Sequence, residues 1–268
     1  MFVYEAEIQT AAVIQVEPRP DPEVRVVSER WASTPDLRFR TYGDLFGNIC
    51  RRTLLPAGPT ELVYQAVVDV SSALDSTDPS AAEVPPDLLP DDTLLFTLPS
   101  RFCLPDVLAD VAWSTFGGIA PGYGRVQAIS DYVHQHLVFD YQASSPTFTA
   151  LDVFERKTGV CRDFAHLFIS LCRSLNMPAR YVFGYLPDID VEPTGAPMDF
   201  HAWAEVFIGN RWWPFDPRNN ERRIGRVVIG RGRDAADVAM VTTFGGPRLL
   251  AMTVVAAPIP SGADPQTV

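Results

Sequence analysis

Cys161 follows a Gly-Val step in "TGVCRDFAHLFISLC" (158–172), at the expected first turn of an amphipathic helix. A thiol there meets free N–H groups and the positive end of the helix dipole, and both favour the thiolate, the form that attacks carbonyl carbon. Cysteine is also among the most buried residue types, so the position alone leaves a packing role open. A nucleophilic thiol needs a base, and the histidines are His134, His136, His166 and His201. His166 lies five residues along the same helix, about 140° round from Cys161, and cannot reach back. His134 and His136, at i and i+2 on the preceding helix, do not share a face and read as surface or packing residues. His201 remains. It sits in "FHAWAEVFIGNRWWPFDP" (200–217), where Gly209-Asn210 reads as a two-residue hairpin turn. With Ile208 opposite Arg211, Asp216 falls opposite Trp203, on the same sheet face as His201 and diagonal to it. A carboxylate there can hold the imidazole N–H and stabilise the imidazolium. A register shift of one residue would turn Asp216 to the other face.

The elements that must position these groups come in two blocks. Residues 1–72 read as strands and turns ("MFVYEAEIQT", "EVRVVSE", "DLRFRTYGD", "GNICRRTLLP", "TELVYQAVVDVSS"), with Leu37, Phe39 and Thr41 alternating with Arg38, Arg40 and Tyr42 and no helical period. An antiparallel sheet or small β-sandwich is expected. Residues 73–100, rich in Pro, Asp and Ser, read as a solvated linker. From 101 the pattern turns helical in "LPDVLADVAWSTF", "GRVQAISDYVHQHLVFDY" and "TALDVFERKTG". It ends in the helix that starts at Cys161, whose Phe164, Phe168, Leu171, Cys172 and Leu175 form one apolar face. Asn176 and Pro178 should end that helix. The strand "ARYVFGYLP", the loop 188–199, the hairpin, "RVVIG" and "RLLAMTVVAA" follow. Helices first and antiparallel strands after them give an α+β core over 101–257, with 258–268 a frayed tail.

Composition narrows the function classes. With 33 acidic against 22 basic residues, the net charge is −11, and the isoelectric point is near 4.8. Such a surface repels nucleic acid and anionic membranes, so neither is expected as a partner. No apolar run is long enough to span a bilayer, and the first residues lack the basic-then-apolar order of a secretory signal, so membrane insertion is not expected and a cytoplasmic location is. Cys50, Cys103, Cys161 and Cys172 form no zinc-type spacing, and no metal or cofactor is expected. Cys161 and Cys172, roughly 16 Å apart along one helix, should be free thiols.

The runs "GVCRDFAHLFISLCRSLNMPARYVFGYLPD" and "FHAWAEVFIGNRWWPFDP" resemble the core of the transglutaminase-like superfamily, in particular its bacterial branch of cysteine-protease-like members. The resemblance implies that Cys161 is the nucleophile, His201 the base and Asp216 the third member of a catalytic triad. "YGDLFGN" and "GRDAADV" extend the likeness more loosely to either side. The implied architecture is an N-terminal β-sandwich followed by a papain-like core. It also implies an oxyanion site built from the Cys161 backbone N–H and an upstream side chain, for which Tyr141 and Trp203 are the candidates. Trp203, Trp212, Trp213 and Phe215 could wall a substrate groove.

The expected function is acyl transfer through a thioester on amide bonds of peptides or proteins. Hydrolysis, as in a cysteine protease or amidase, is favoured because the bacterial branch is described that way and no calcium loop is visible. A transglutaminase joining glutamine to primary amines is the alternative, and a peptide-binding module without catalysis is a second. The loop 188–199 could shape specificity.

Overall fold

The computed structural model describes residues 1–192 and 197–259. The middle of the loop 188–199 and most of the expected tail 258–268 therefore lie outside the described residues. In chain order the first strands are β1 (Phe2–Ala6), β2 (Thr10–Ile14), β3 (Val24–Thr34), β4 (Arg40–Gly43), β5 (Ile49–Leu55) and β6 (Gly58–Val70). Helices and strands then mix: α1 (Asp91–Leu94), α2 (Ala109–Phe116), α3 (Tyr123–His136), β7 (Val138–Phe139), α4 (Ala150–Arg156), β8 (Thr158–Gly159) and α5 (Cys161–Ser174). The chain continues through β9 (Ala179–Tyr185), β10 (His201–Ile208), β11 (Arg211–Phe215), β12 (Val227–Gly232), β13 (Val241–Thr243) and β14 (Arg248–Met252). No helix among the described residues is long and apolar enough to cross a membrane.

Three four-stranded antiparallel sheets result, in the orders β14-β1-β6-β3, β13-β2-β5-β4 and β11-β10-β9-β12, with β7 and β8 as a short parallel pair. The run 1–10, expected as one strand, is broken after Ala6. Its first part joins one sheet and the next strand, β2, the other. Around β4 the alternation holds from Leu37 to Arg40 only, since Thr41 and Tyr42 are both exposed.

Two expectations about organisation are corrected. β13 and β14, expected inside a core running to 257, pair instead with β2 and β1, so the end of the chain completes both N-terminal sheets. Edge strands left with bare N–H and C=O groups take whatever partner the chain brings, and sequence distance does not limit this. Residues 73–100 are not a solvated tether. Leu89 and Phe96 are buried, Glu83 accepts the Gly122 N–H at 3.0 Å and faces Arg125, and the Ala81 and Ala82 carbonyls accept from Tyr123 and Gly209. Its carboxylates and carbonyls serve as acceptors for the helical region, which composition alone does not reveal.

α5 is the central rod. Its expected apolar face is buried, but so are Ala165, Leu167 and Ile169 flanking it and His166, Ser170 and Arg173 on the opposite side. It packs on β9 and β10 on one flank and on α2, α3 and α4 on the others. Its buried polar groups are matched by backbone: Ser170 accepts the Leu104 N–H at 3.0 Å, and Arg173 donates to the carbonyls of Leu98, Ala179 and Arg233 at 2.7–3.0 Å. Asn176, with φ 63°, ends the helix in the left-handed conformation. Phe2 of β1 stacks on Phe200 just before β10 at 6.1 Å, so the N-terminal strands and the helical region share one buried cluster.

Candidate active site

The start of α5 is braced before any partner arrives. A Cβ on Gly159 would lie 2.7 Å from the Cβ of Asp163, so only glycine lets the chain pass there. Asp163 is fully buried and accepts the Val160 N–H at 3.0 Å, one of the free donors of the helix start. It also accepts the Ser144 hydroxyl at 2.6 Å and pairs with Arg162 at 2.8 Å. Arg162 reaches on to the Ser145 carbonyl at 2.6 Å. The segment that carries Tyr141 is thereby tied to the helix end that carries Cys161. Cys161 itself is the first residue of α5 and half-buried, while Cys50, Cys103 and Cys172 are buried; all four are free thiols.

The hairpin supplies the other two residues. Gly209 and Asn210 both have positive φ, 57° and 64°, as a tight two-residue turn requires. Ile208 pairs with Arg211 and Ala204 with Phe215, the expected register. Asp216, just past β11, lies diagonal to His201, and His201 Nε2 meets Asp216 Oδ2 at 2.8 Å. The other ring nitrogen, Nδ1, is not engaged by Asp216, and Cys161 lies near enough to this histidine to influence its charge. Burial opposes a charged ring, but the charge and hydrogen bond of Asp216, with a further contribution from Cys161, raise the His201 pKa to about 9. Burial likewise opposes the Asp216 carboxylate, yet His201, Arg226 and the Asn219 N–H outweigh it and hold that carboxyl well below its ordinary value.

Behind the pair stands a group that the sequence does not announce. Arg226 Nη2 donates to Asp216 Oδ2 at 3.2 Å, its Nε donates to Asp75 at 2.9 Å, and its guanidinium lies 4.9 Å over the Trp203 ring. Asp75 comes from the 73–100 segment and also accepts the Arg223 N–H at 2.9 Å. Asn219 adds its side-chain amide to Asp216 Oδ2 at 3.0 Å. Charges therefore alternate from His201 through Asp216 and Arg226 to Asp75. Replacing Arg226 by Gln is expected to cost about 3 kcal/mol, because the buried Asp216 and the half-buried Asp75 lose their shared cation. Urea unfolding would measure it, and Asp75→Asn added to Arg226→Gln should recover part of the loss. An unchanged midpoint in the single variant would contradict this account.

The remaining candidates are placed as follows. Tyr141 is 55 % exposed, edge-on to Phe139 at 4.8 Å, and burial followed by the charges of Asp199 and Cys161 pushes its phenol pKa up. Trp203 is 1 % exposed, stacks near-parallel to His201 at 6.2 Å, and fills space over Gly184, where a Cβ would sit 2.9 Å from its ring. It supports the histidine from inside the protein and does not wall an open groove. Trp213 and Phe215 are buried too. His166 is fully buried between Phe102 and Tyr181, and its Nε2 accepts the Ala235 N–H at 3.1 Å. Burial, with Arg162 nearby, lowers its pKa to about 3, so it stays neutral. His134 donates to the Pro217 and Arg218 carbonyls and steadies the chain just after Asp216, while His136 donates to the Phe154 carbonyl at 2.8 Å. Both were expected as surface or packing residues; His134 is exposed, and His136 is half-buried against Tyr132 and Phe154. Among the described residues no three His, Cys, Asp or Glu side chains are grouped to hold a metal ion.

The comparisons with known proteins fit this geometry. The model of the transglutaminase-like superfamily matches residues 110–217, the stretch that holds Cys161, His201 and Asp216. A crystal structure of a candidate cysteine protease from Cytophaga hutchinsonii superposes with a TM-score of 0.83 at 28% identity, over 98% of this chain and 92% of that one. Residues 110–217 form a transglutaminase-like domain. A Mycobacterium leprae protein is 27% identical over 254 residues, 89% of this chain and 88% of its own length. A Mycobacterium bovis protein is 38% identical over 112 residues, but the match spans only 35% of that protein. The transglutaminase-like fold is thus present as a mixed α/β structure with several antiparallel sheets.

Proposed function

We propose that the chain is a thiol acyl-transfer enzyme of the transglutaminase-like superfamily that acts on amide bonds of peptides or proteins, with hydrolysis as its main reaction. The observation that carries the reading is the 2.8 Å bond from His201 to the buried Asp216, with Cys161 at the helix start facing the same ring. In this scheme the Cys161 thiolate attacks the carbonyl carbon, and the carbonyl electron pair moves to oxygen. The Cys161 backbone N–H and the Tyr141 hydroxyl donate to that oxygen; the raised phenol pKa keeps the Tyr141 proton in place. As the C–N bond breaks, the His201 imidazolium protonates the leaving amine and a thioester remains. Water, deprotonated by His201, then attacks the thioester and releases the acid and the thiol. Asp216 holds the ring through Nε2 and keeps its charged form favoured.

Hydrolysis is favoured by the similarity over the whole chain to the Cytophaga hutchinsonii candidate protease. We also read the two N-terminal sheets as layers of a β-sandwich, because Phe2, Tyr4 and Leu62 of one and Ala12, Ile14 and Leu55 of the other fall in one buried cluster. The core that follows is read as papain-like.

Peptide-resolved alkylation tests the reading. Cys161 should react with iodoacetamide far faster than Cys50, Cys103 and Cys172, stay reactive in mild acid, and lose that advantage in His201→Ala. If the four thiols react alike, the reading is wrong. A reactive Cys161 that incorporates a labelled amine into protein glutamine without releasing peptides would point to a transglutaminase. A reactive thiol with neither activity would leave a binding module.

A further inference from the structure

Three arginines stand together on the face of the sheet built from β13, β2, β5 and β4. Arg40 opens β4 and lies directly opposite Arg52 of β5, and Arg38 precedes it by two residues. All three are exposed. Among the described residues none of them takes part in an ion pair, although 33 acidic residues are available in the chain. Like charges opposite one another across a strand pair repel, so folding by itself does not favour this placement. The arginines line a concavity of about 680 Å³ together with Phe39, Leu54 and Phe244, and no acidic residue lines it. Leu54 and Phe244 are 54 % and 69 % exposed.

The second concavity, of about 490 Å³, is also lined by arginines, but these are already answered. Arg180 and Arg231 share Glu205, Arg233 is held by Asp237, and Arg19 donates to the Asn48 side-chain oxygen at 3.0 Å. The contrast marks the Arg38, Arg40 and Arg52 face as cationic and open.

The spacing suggests what fits. Alternate residues of an extended chain are about 6.6 Å apart on one face, so carboxylates at alternate positions of an extended segment run in step with Arg38 and Arg40. Guanidinium forks take carboxylates bidentately. Leu54 and Phe244 offer apolar contact beside them. A long polyanion, such as nucleic acid or an anionic bilayer, would bring its charge against the rest of a surface of net charge −11, whereas a short acidic segment meets the arginines alone. We propose that this face binds an extended acidic segment of a partner protein, with carboxylates on alternate residues and an apolar side chain next to them. The proposal does not depend on the chemistry assigned to Cys161.

Fluorescence anisotropy on the full chain tests it. The probe is a labelled peptide with glutamate at alternate positions, serine between them and a leucine at one end; the control carries lysine for glutamate. The glutamate peptide should bind, more weakly as salt is added, and the lysine peptide should not. Arg40→Glu should weaken binding by about tenfold or more. The same substitution turns a repelling cross-strand pair into an attracting one, so its thermal midpoint should rise, which separates lost binding from lost folding. Leu54→Ser should weaken binding without changing its salt dependence. Equal binding of both peptides, unchanged affinity in Arg40→Glu, or tighter binding of anionic vesicles or a DNA duplex than of the glutamate peptide would overturn the proposal.

Discussion

Cys161→Ala is expected to lower amide cleavage by about four orders of magnitude or more while leaving the protein folded. The proposed mechanism has no second nucleophile, and removal of a single member of such a unit elsewhere costs up to about 10⁶-fold. Stability should change little, by about 1 kcal/mol at most, because the side chain is only half-buried. His201→Ala should fall to a similar residual rate, and the double variant should be no worse than either single one, since the groups act together. The measurement is release of a labelled peptide under substrate excess, with a thermal melt of each variant alongside. Retained cleavage in a folded Cys161→Ala would remove the thiol from the mechanism.

Asp216 carries the second large effect. Asp216→Ala should lower kcat/KM by about 10³-fold or more, because the ring loses both its orientation and the charge that favours imidazolium. Asp216→Asn keeps an acceptor for Nε2 and should lose less, but its pH profile should move. Leaving-amine protonation needs the imidazolium, which in the native protein persists until pH rises through about 9. Activity should therefore fall on that alkaline limb, and in Asp216→Asn the limb should shift down towards the ordinary histidine value of about 6.5. Stability should follow the same pair. The raised His201 contributes fully below about pH 6.5 and is lost as pH rises through about 9. The depressed Asp216 contributes above its ordinary range near about 3.9 and is lost as pH falls below it. The wild type should accordingly be more resistant to urea near pH 6 than near pH 10, and Asp216→Asn should flatten that difference. An alkaline limb that does not move in Asp216→Asn would separate His201 from Asp216 in function.

Several features were legible without a structure because they are local. The Gly209-Asn210 turn sets the hairpin register, and the register places Asp216 diagonal to His201. Helical spacing removes His166 from reach of Cys161, and the structure shows it stacked elsewhere, neutral and buried. Asn176 and the residues after it end α5 where their conformational preference says they should.

What the tertiary structure alone decided depends on partners far apart in the chain. Arg226 and Asp75 meet behind Asp216 although 151 residues separate them, and neither carries a local signal. β13 and β14 cross back to the N-terminal sheets because those sheets had open edges to pair. α5 reads as one apolar face in sequence yet is buried on all sides, since its polar residues bond to backbone from 98–104 and 233–235. Trp203 is an inner support for His201 for the same reason: alternation along a strand says which face a side chain takes, while its depth depends on what the rest of the chain lays over that face.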